Sequence, residues 1–583
     1  MKSFQQSWPQ RVLAFLPTRR PRQALVLISG LLISLILVCA GLQLREGPNW
    51  RSLRPWADDI GTIEATAPPV LSGAPQGSAM PSTLPRLHII IPSSKSDVRL
   101  CKNLLSQTIL GYPRPNLVLW DQTFDSPHNK HFLGGGSHLG KINSTLQWLE
   151  NPAHQQYEND MVIMIDAYDI WFQLPPETLF ARYYELLASE DARVAHRMGR
   201  AFAAERISTK VVFSASKRCG PNDTRSYACY PVPESPLPPD IYGDITDVMD
   251  VKPEPHAGLR QRHLVSGFIM GPFRDMRTIF TRANERMHAC LATDMKEQKF
   301  VRAWCHKGSD QFYFNEMYGE QEYHREVMRR HHHTFLDTVL EFFAPGRAGA
   351  PRKPIKIERK LVDDPLNPSF PHQPMPDPHY NPAQPYEFGI MVDHFSQMSH
   401  QTSNALHDSA YIVHSKPLAP QLENQTHGFK PVCTPKAPMP TDLPAVSALD
   451  LLPEHDRPRW EDLPLYSEVC AGVVPVIAHH NWYKKWPIEK LWADNWWTGR
   501  ARTLFEARRD MGDRKLVGGA DTDTGLSFGW EDLCPPEWDE EIFMDGGGAK
   551  GGKDEPKVVA AASTDAKPED TLGEKKEARM ESA

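Results

Sequence analysis

Nine cysteines are spread over 583 residues without one CxxC pair, so closely spaced thiolate ligands for a structural metal are absent. No basic stripe interleaved with aromatics occurs, and the formal net charge is a mild −7, so no nucleic-acid partner is expected. No internal repeat is evident. Hydrophobic residues make up only 40% of the chain. Its 53 prolines are about 9% of the residues, nearly double the usual share, so much of the sequence is expected to be linker or loop. The length still allows one large domain or two ordinary ones plus tails.

One long apolar run is present. Residues Ala24 to Leu44 form an uncharged, Leu/Ile-rich stretch, long enough for the roughly 20 helical residues that cross a bilayer core. Lys2, Arg11, Arg19, Arg20 and Arg22 precede it with no acidic residue among them, which predicts a cytosolic tail over 1–23, a single transmembrane helix over 24–44 and a luminal remainder. A cleaved signal peptide ending near Cys39-Ala40 is the alternative; against it, the run exceeds the usual ~7–15-residue apolar region and its basic preamble is long. The expected address is the Golgi or endoplasmic reticulum membrane. Cys39 lies within the span and leaves eight cysteines beyond it, an even number compatible with disulfides in an oxidising compartment. Their pairing stays open, Cys219 with Cys229 and Cys290 with Cys305 being the shortest loops. Sequons at Asn143, Asn222 and Asn424 add weak support for a luminal location.

From Arg45 to about Pro85 the composition is that of a flexible stem. Short apolar runs at LHIIIPSS from Leu87, NLVLW at Asn116–Trp120 and MVIMI at Met161–Ile165 read as buried parallel strands. Leu139, Ile142, Leu146 and Leu149 have helical spacing within Ser137–Glu150, and Pro176–Ala188 repeats that pattern behind a first-turn proline. Further strands are predicted at Lys210–Ser214, Leu264–Met270 and Val473–Ala478. Alternating strands and helices specify an α/β fold with a mostly parallel sheet. Pro-rich or irregular insertions are expected over 344–385 and about 415–463, an extension over 498–545, and a disordered tail over 546–583, which has too few large apolar residues to bury.

The strongest chemical signal is MVIMIDAYDIWF, where Asp166 and Asp169 follow a buried strand. In an open α/β sheet, ligands lie outside the carboxyl ends of the strands. Two like charges there are costly, and a divalent cation is the simplest compensation. Mg2+ or Mn2+, hard and oxygen-seeking, would bridge the carboxylates to a diphosphate. The competing reading is a pair of helix-capping or turn-forming aspartates.

The run from Leu87 to Phe343 resembles the glycosyltransferase domain of the procollagen-lysine family, the multifunctional lysyl hydroxylases, and similar GT-A enzymes in fungi. Six segments carry the resemblance in order: GGGSHLGKINSTL (Gly134–Leu146), IDAYDIWF (Ile165–Phe172), VVFSASKRCGPN (Val211–Asn222), VSGFIMG (Val265–Gly271), SDQFYF (Ser309–Phe314) and FLDTVLEFF (Phe335–Phe343). The resemblance implies that Asp166 and Asp169 ligate the metal and that Tyr168 stacks on the uracil of a UDP-sugar. It also implies a third ligand, a histidine in a His-x-Asn segment. His479 and Asn481 in AHHNWYKKW fit that pattern, while His480 points elsewhere if the backbone is extended. His414, in AYIVHSKP, is the rival candidate and lacks the asparagine.

Lys141, Lys484 and Lys485 are candidates to neutralise the diphosphate, or else solvated surface charges. Gly134–Gly136 either lets the backbone approach the nucleotide or forms a flexible turn. Asp310, in GSDQFYF, matches an acidic residue that faces sugar and acceptor in the resembling enzymes. Its alternative is an N-cap pair with Ser309, which occupies the place of the family's second acidic residue. His331–His333 reads as a surface cluster, because consecutive side chains diverge. The Asp393-His394 to His400 stretch has the wrong order for an iron/2-oxoglutarate site, and the hydroxylase portion of the collagen enzymes has no counterpart.

The expectation is a stem-tethered GT-A (Rossmann-like) domain over 86–497 that uses Mn2+ or Mg2+ and a nucleotide-sugar donor, with a glycan or protein acceptor. The alternative is a catalytically silent Golgi-resident scaffold of the same fold.

Overall fold

A computed structural model of the protein describes residues 84–546 except 124–135, 223–225, 227, 250–254, 293–307, 345, 351–354, 358–359, 363–385, 424, 426–429, 446 and 482–487. The expected transmembrane span, nearly all of the stem and the tail from 547 lie outside the described residues, as does the Asn424 sequon. Among the described residues no helix is long and apolar enough to cross a membrane.

In chain order the main elements are β1 (Leu87–Pro92), α1 (Val98–Leu110), β2 (Asn116–Val118), α2 (Ser137–Glu150), β3 (Met161–Ile165), β4 (Ile170–Phe172), α3 (Pro176–Met198), β5 (Val211–Ser216) and β6 (His263–Pro272). They continue with α4 (Phe273–Ala292), α5 (Asp310–His331), α6 (Phe335–Phe343), the hairpin β7 (Ile355–Ile357) and β8 (Lys360–Val362), β9 (Ile390–Asp393), β10 (Ser399–Gln401) and β11 (Ser409–Val413). β12 (Pro464–Glu468), β13 (Ile477–His479), α7 (Ala501–Met511), β14 (Ala520–Thr522) and β15 (Ser527–Phe528) complete them.

The central sheet has the order β15-β14-β2-β1-β3-β6-β5-β9. Six of these strands share one direction, and β6 and β15 run against their neighbours. The Leu264–Met270 run is therefore a strand, but one longer than expected and antiparallel to both β3 and β5. Every residue of β3 is buried. Its alternate side chains enter different cores: Met161, Ile163 and Ile165 one, Val162 and Met164 the other. Residues of α1, α3 and α7 fill the first core; α2, α4 and α5 fill the second. The sheet is thus covered on both faces, which is why its central strands read as continuous apolar runs. Fully burying one such isoleucine stabilises the fold by about 1.5–3 kcal/mol.

Boundaries shift where backbone conformation overrides composition. NLVLW stops pairing at Val118, because Leu119 and Asp121 take positive φ values of 71° and 60°. The helix predicted over Pro176–Ala188 continues to Met198 before Gly199 ends it. VVPVIA gives a strand only from Ile477, since prolines lack the donor a ladder needs.

The segment 498–545, expected as an extension beyond the domain, instead closes one sheet edge: β14 pairs parallel with β2, and Cys534 is disulfide-bonded to Cys101 of α1. The irregular stretch 415–463 is tied down by Cys433–Cys470, and Cys219 pairs with Cys229. The Asn222 sequon is a poor glycan acceptor, because its side chain is buried and accepts from Asn315 Nδ2 at 3.0 Å.

The Cys101–Cys534 bridge spans 433 residues, so its loss frees a large closed loop in the unfolded chain. Cys101→Ser with Cys534→Ser should cost about 2–5 kcal/mol in denaturant unfolding. Unchanged stability in that double variant would show that the C-terminal strands dock without help from the bridge.

Candidate functional site

β3 ends at Ile165, and the next peptide is held from both sides. Asp166 N–H donates to the Gly267 carbonyl of β6 at 3.0 Å. From α1, the buried Asn103 donates its amide to the carbonyls of Asp166 and Ala167, each at 3.2 Å. Gln107 donates to Asn103 Oδ1 at 2.6 Å and fixes that amide's orientation. The chain then re-enters a strand as β4, which pairs antiparallel with β13 in a register that sets His479 opposite Ile170. His479 is thereby carried beside Asp169, and the next N–H, of His480, donates to the Asp169 carbonyl at 2.7 Å.

The imidazole of His479 fills space that Gly267 leaves empty. A Cβ built at Gly267 would lie 2.2 Å from His479 Cε1, far inside van der Waals contact. His479 is 1% exposed, and neither ring nitrogen has a hydrogen-bond partner among the described residues. Its Nε2 lies 3.7 Å from Asp166 Oδ2 and 3.6 Å from Asp169 Oδ2. These separations are too long for hydrogen bonds, yet the three ligand atoms all lie within 4.8 Å of one another. Two carboxylates and an orphaned buried imidazole make a donor set that fits a divalent cation. The nitrogen donor suits Mn2+ better than Mg2+.

Electrostatics point the same way. Burial alone would raise the pKa of Asp169, but the His479 imidazole and the Lys141 ammonium hold it below its ordinary value. Burial alone would lower that of His479, and the two aspartates raise it instead. The two aspartates thus present His479 with negative charge that a divalent cation would also balance. Asp166 divides its oxygens: Oδ1 takes the ammonium of Lys141, while Oδ2 faces His479. Burial opposes the charge on Lys141, yet Asp166 and Asp310 together raise its pKa and keep it a cation.

Two different environments flank this centre. On one side is a cleft of ≈ 260 Å³ lined by Arg99, Tyr168, Asp169, Thr402 and Asn481, among others. Tyr168 Oη shares a hydrogen bond with Ser93 Oγ at 3.0 Å, and the Arg99 guanidinium lies 5.0 Å from its ring centroid. Asn481 stands in the cleft wall, but its amide is committed: Oδ1 accepts from Ser403 N–H at 3.0 Å and Nδ2 donates to Gln401 at 2.8 Å. His480 turns to pack on Trp171 and Tyr466, with ring centroids 4.3 Å and 5.2 Å away.

The second is reached through Lys141, which lies between Asp166 and Asp310, the first residue of α5. Its backbone position follows Ser309 at the N-cap, but the Ser309 side chain makes no capping bond. Asp310 is 2% exposed, with Lys141 Nζ 4.0 Å from Oδ2 and His138 Nδ1 3.6 Å from Oδ1. Burial would raise its pKa; Lys141, His138 and a hydrogen bond from Ser266 outweigh it and hold the carboxyl well below its usual range.

Other sequence candidates fall outside this constellation. Lys484, Lys485, Gly134 and Gly135 lie outside the described residues; Gly136 is the N-cap of α2 with φ 97°, a left-handed conformation that favours glycine. His414 follows β11, which pairs with β12 in a separate sheet, so it does not join the aspartates. Asp393 accepts from the backbone N–H groups of Gln397, Met398 and Ser399, and His400 bonds Ser396 and Ser409, so that stretch is a structural network. His332 and His333 pair separately with Glu205 and Glu341. A second acidic group, Asp408 with Glu468 and Cys470, is not a cation site: Cys470 is in a disulfide and the buried Lys217 lies 2.7 Å from Asp408.

No protein-family model matches this chain, and no curated protein does.

Sequence reasoning missed Arg99, Asn103, His138 and Gly267 as members of the site. Gly267 and His138 lie within VSGFIMG and GGGSHLGKINSTL, but only tertiary neighbours reveal what they do. Because the Gly267 position has no room for a side chain, Gly267→Ala should push His479 away from the aspartates and weaken Mn2+ binding about 10–100-fold by calorimetry. Wild-type Mn2+ affinity in that variant would show that His479 is not a ligand.

Proposed function

We propose that this protein is a metal-dependent glycosyltransferase with a GT-A-type domain, moving a sugar from a UDP-sugar to a glycoprotein or glycan acceptor on the luminal side of the Golgi or endoplasmic reticulum membrane. The convergence of Asp166, Asp169 and His479 beyond the carboxyl end of β3 carries this reading. The ordered resemblance of Leu87–Phe343 to the procollagen-lysine glycosyltransferase domain supports it, and so does the placement of different chemistry on either side.

In this reading the cleft beside Tyr168 and Arg99 receives the nucleotide. Tyr168 offers a flat aromatic face to the base, its hydroxyl anchored on Ser93. Asp166, Asp169 and His479 would hold the metal, which would supply positive charge to a departing diphosphate. Lys141, kept cationic between Asp166 and Asp310, adds a positive charge on the sugar side of the centre. Asp310, kept ionised, stands beyond it. Burial of His479 and Asp310 strengthens their interactions relative to water.

The deciding assay follows UDP release from a panel of UDP-sugars with Mn2+. The wild-type protein should turn over at least one donor, and UDP with Mn2+ at 100 times its Kd should stabilise the fold by about 2.7 kcal/mol. Asp169→Ala should lower turnover at least about 100-fold with the melting temperature retained. Undiminished turnover in that variant, or none from any donor in the wild type, would contradict the proposal.

A further inference from the structure

Asp310 poses a chemical problem for any role in direct contact with an acceptor. Its side chain is 3% exposed, set against Lys141 and Ser266 behind the first turn of α5. A buried carboxylate whose pKa is depressed is a poor proton acceptor at neutral pH. Its neighbour differs. His138, in the first turn of α2, has a side chain 40% exposed, and its Nδ1 faces Asp310 Oδ1 at 3.6 Å. Asp310 of α5 faces this ring, and Lys141, further along the same helix as His138, faces Asp310.

This is the arrangement by which a carboxylate orients an imidazole. An anionic acceptor beside Nδ1 favours the tautomer that carries its proton there and leaves the lone pair on Nε2, the nitrogen on the far side of the ring. Catalytic hydrogen bonds are often long before substrate binds. The exposed partner can meet a hydroxyl; the buried one cannot.

We propose that His138 is the general base for the acceptor, with Asp310 as its positioning residue. The inference rests on the glycosyltransferase reading above and deepens it. The acceptor oxygen forms a bond to the anomeric carbon, and the bond from that carbon to the β-phosphate oxygen breaks. The electron pair leaves with UDP, and the acceptor proton passes to His138 Nε2. When water is the acceptor the same step yields free sugar, so no glycan acceptor is needed to observe it.

The test uses the full-length protein with Mn2+ and UDP-glucose, UDP-galactose or UDP-N-acetylglucosamine, following UDP release into water. His138→Ala should lower kcat about 100-fold or more while leaving UDP affinity and melting temperature unchanged, and added imidazole should restore part of the rate. Retained turnover in His138→Ala, beside loss in Asp169→Ala, would overturn the base assignment and leave the metal site standing. Loss of turnover together with loss of UDP affinity, without imidazole rescue, would overturn it in favour of a structural role. Turnover undiminished in both variants, or absent from the wild type, would remove the base and the glycosyltransferase reading together.

Discussion

Two carboxylates at the end of a fully buried strand need a counter-charge, and the surrounding structure is arranged to supply one. Lys141 answers one oxygen of Asp166, leaving Asp166 Oδ2 and Asp169 Oδ2 facing a single imidazole whose nitrogens have no other partner among the described residues. Leaving such groups uncompensated in a low-dielectric setting costs several kcal/mol. A divalent cation would balance them, and that is the proposal their geometry supports.

The fold places those groups at little conformational cost. β3 and β6 run antiparallel at the sheet centre, so the Gly267 carbonyl fixes the first aspartate while the missing Cβ makes room for the histidine. A separate three-stranded sheet brings β13 against β4 from a sequence distance of about 300 residues. Neither sheet alone forms the centre. Asn103 and Gln107 of α1 clamp the intervening turn, so the carboxylates sit on a braced segment rather than a free loop.

Much of this was legible in the sequence. MVIMI could be read as a buried strand because both faces demand apolar residues, and the pair Asp166 and Asp169 stood out because charge directly after such a strand needs a reason. His479 was reached only through a resemblance; no local pattern distinguishes it from His480, and the β4–β13 register is what separates them. The direction of β6 was not readable, since buried parallel and antiparallel strands have the same composition. The part played by 520–528 was also hidden, because edge strands of two or three residues carry no periodicity. Asp310 was found, but its burial and its neighbour His138 depend on where two helices begin in space.

The central claim is that one cation sits between Asp166, Asp169 and His479. Crystals of the protein grown with Mn2+ and UDP, measured at the manganese absorption edge, test it most directly. The account predicts a single strong anomalous peak at about 2.0–2.3 Å from an oxygen of each aspartate and from His479 Nε2, with a diphosphate oxygen completing the shell. No peak there, or a manganese held by other side chains, would contradict it.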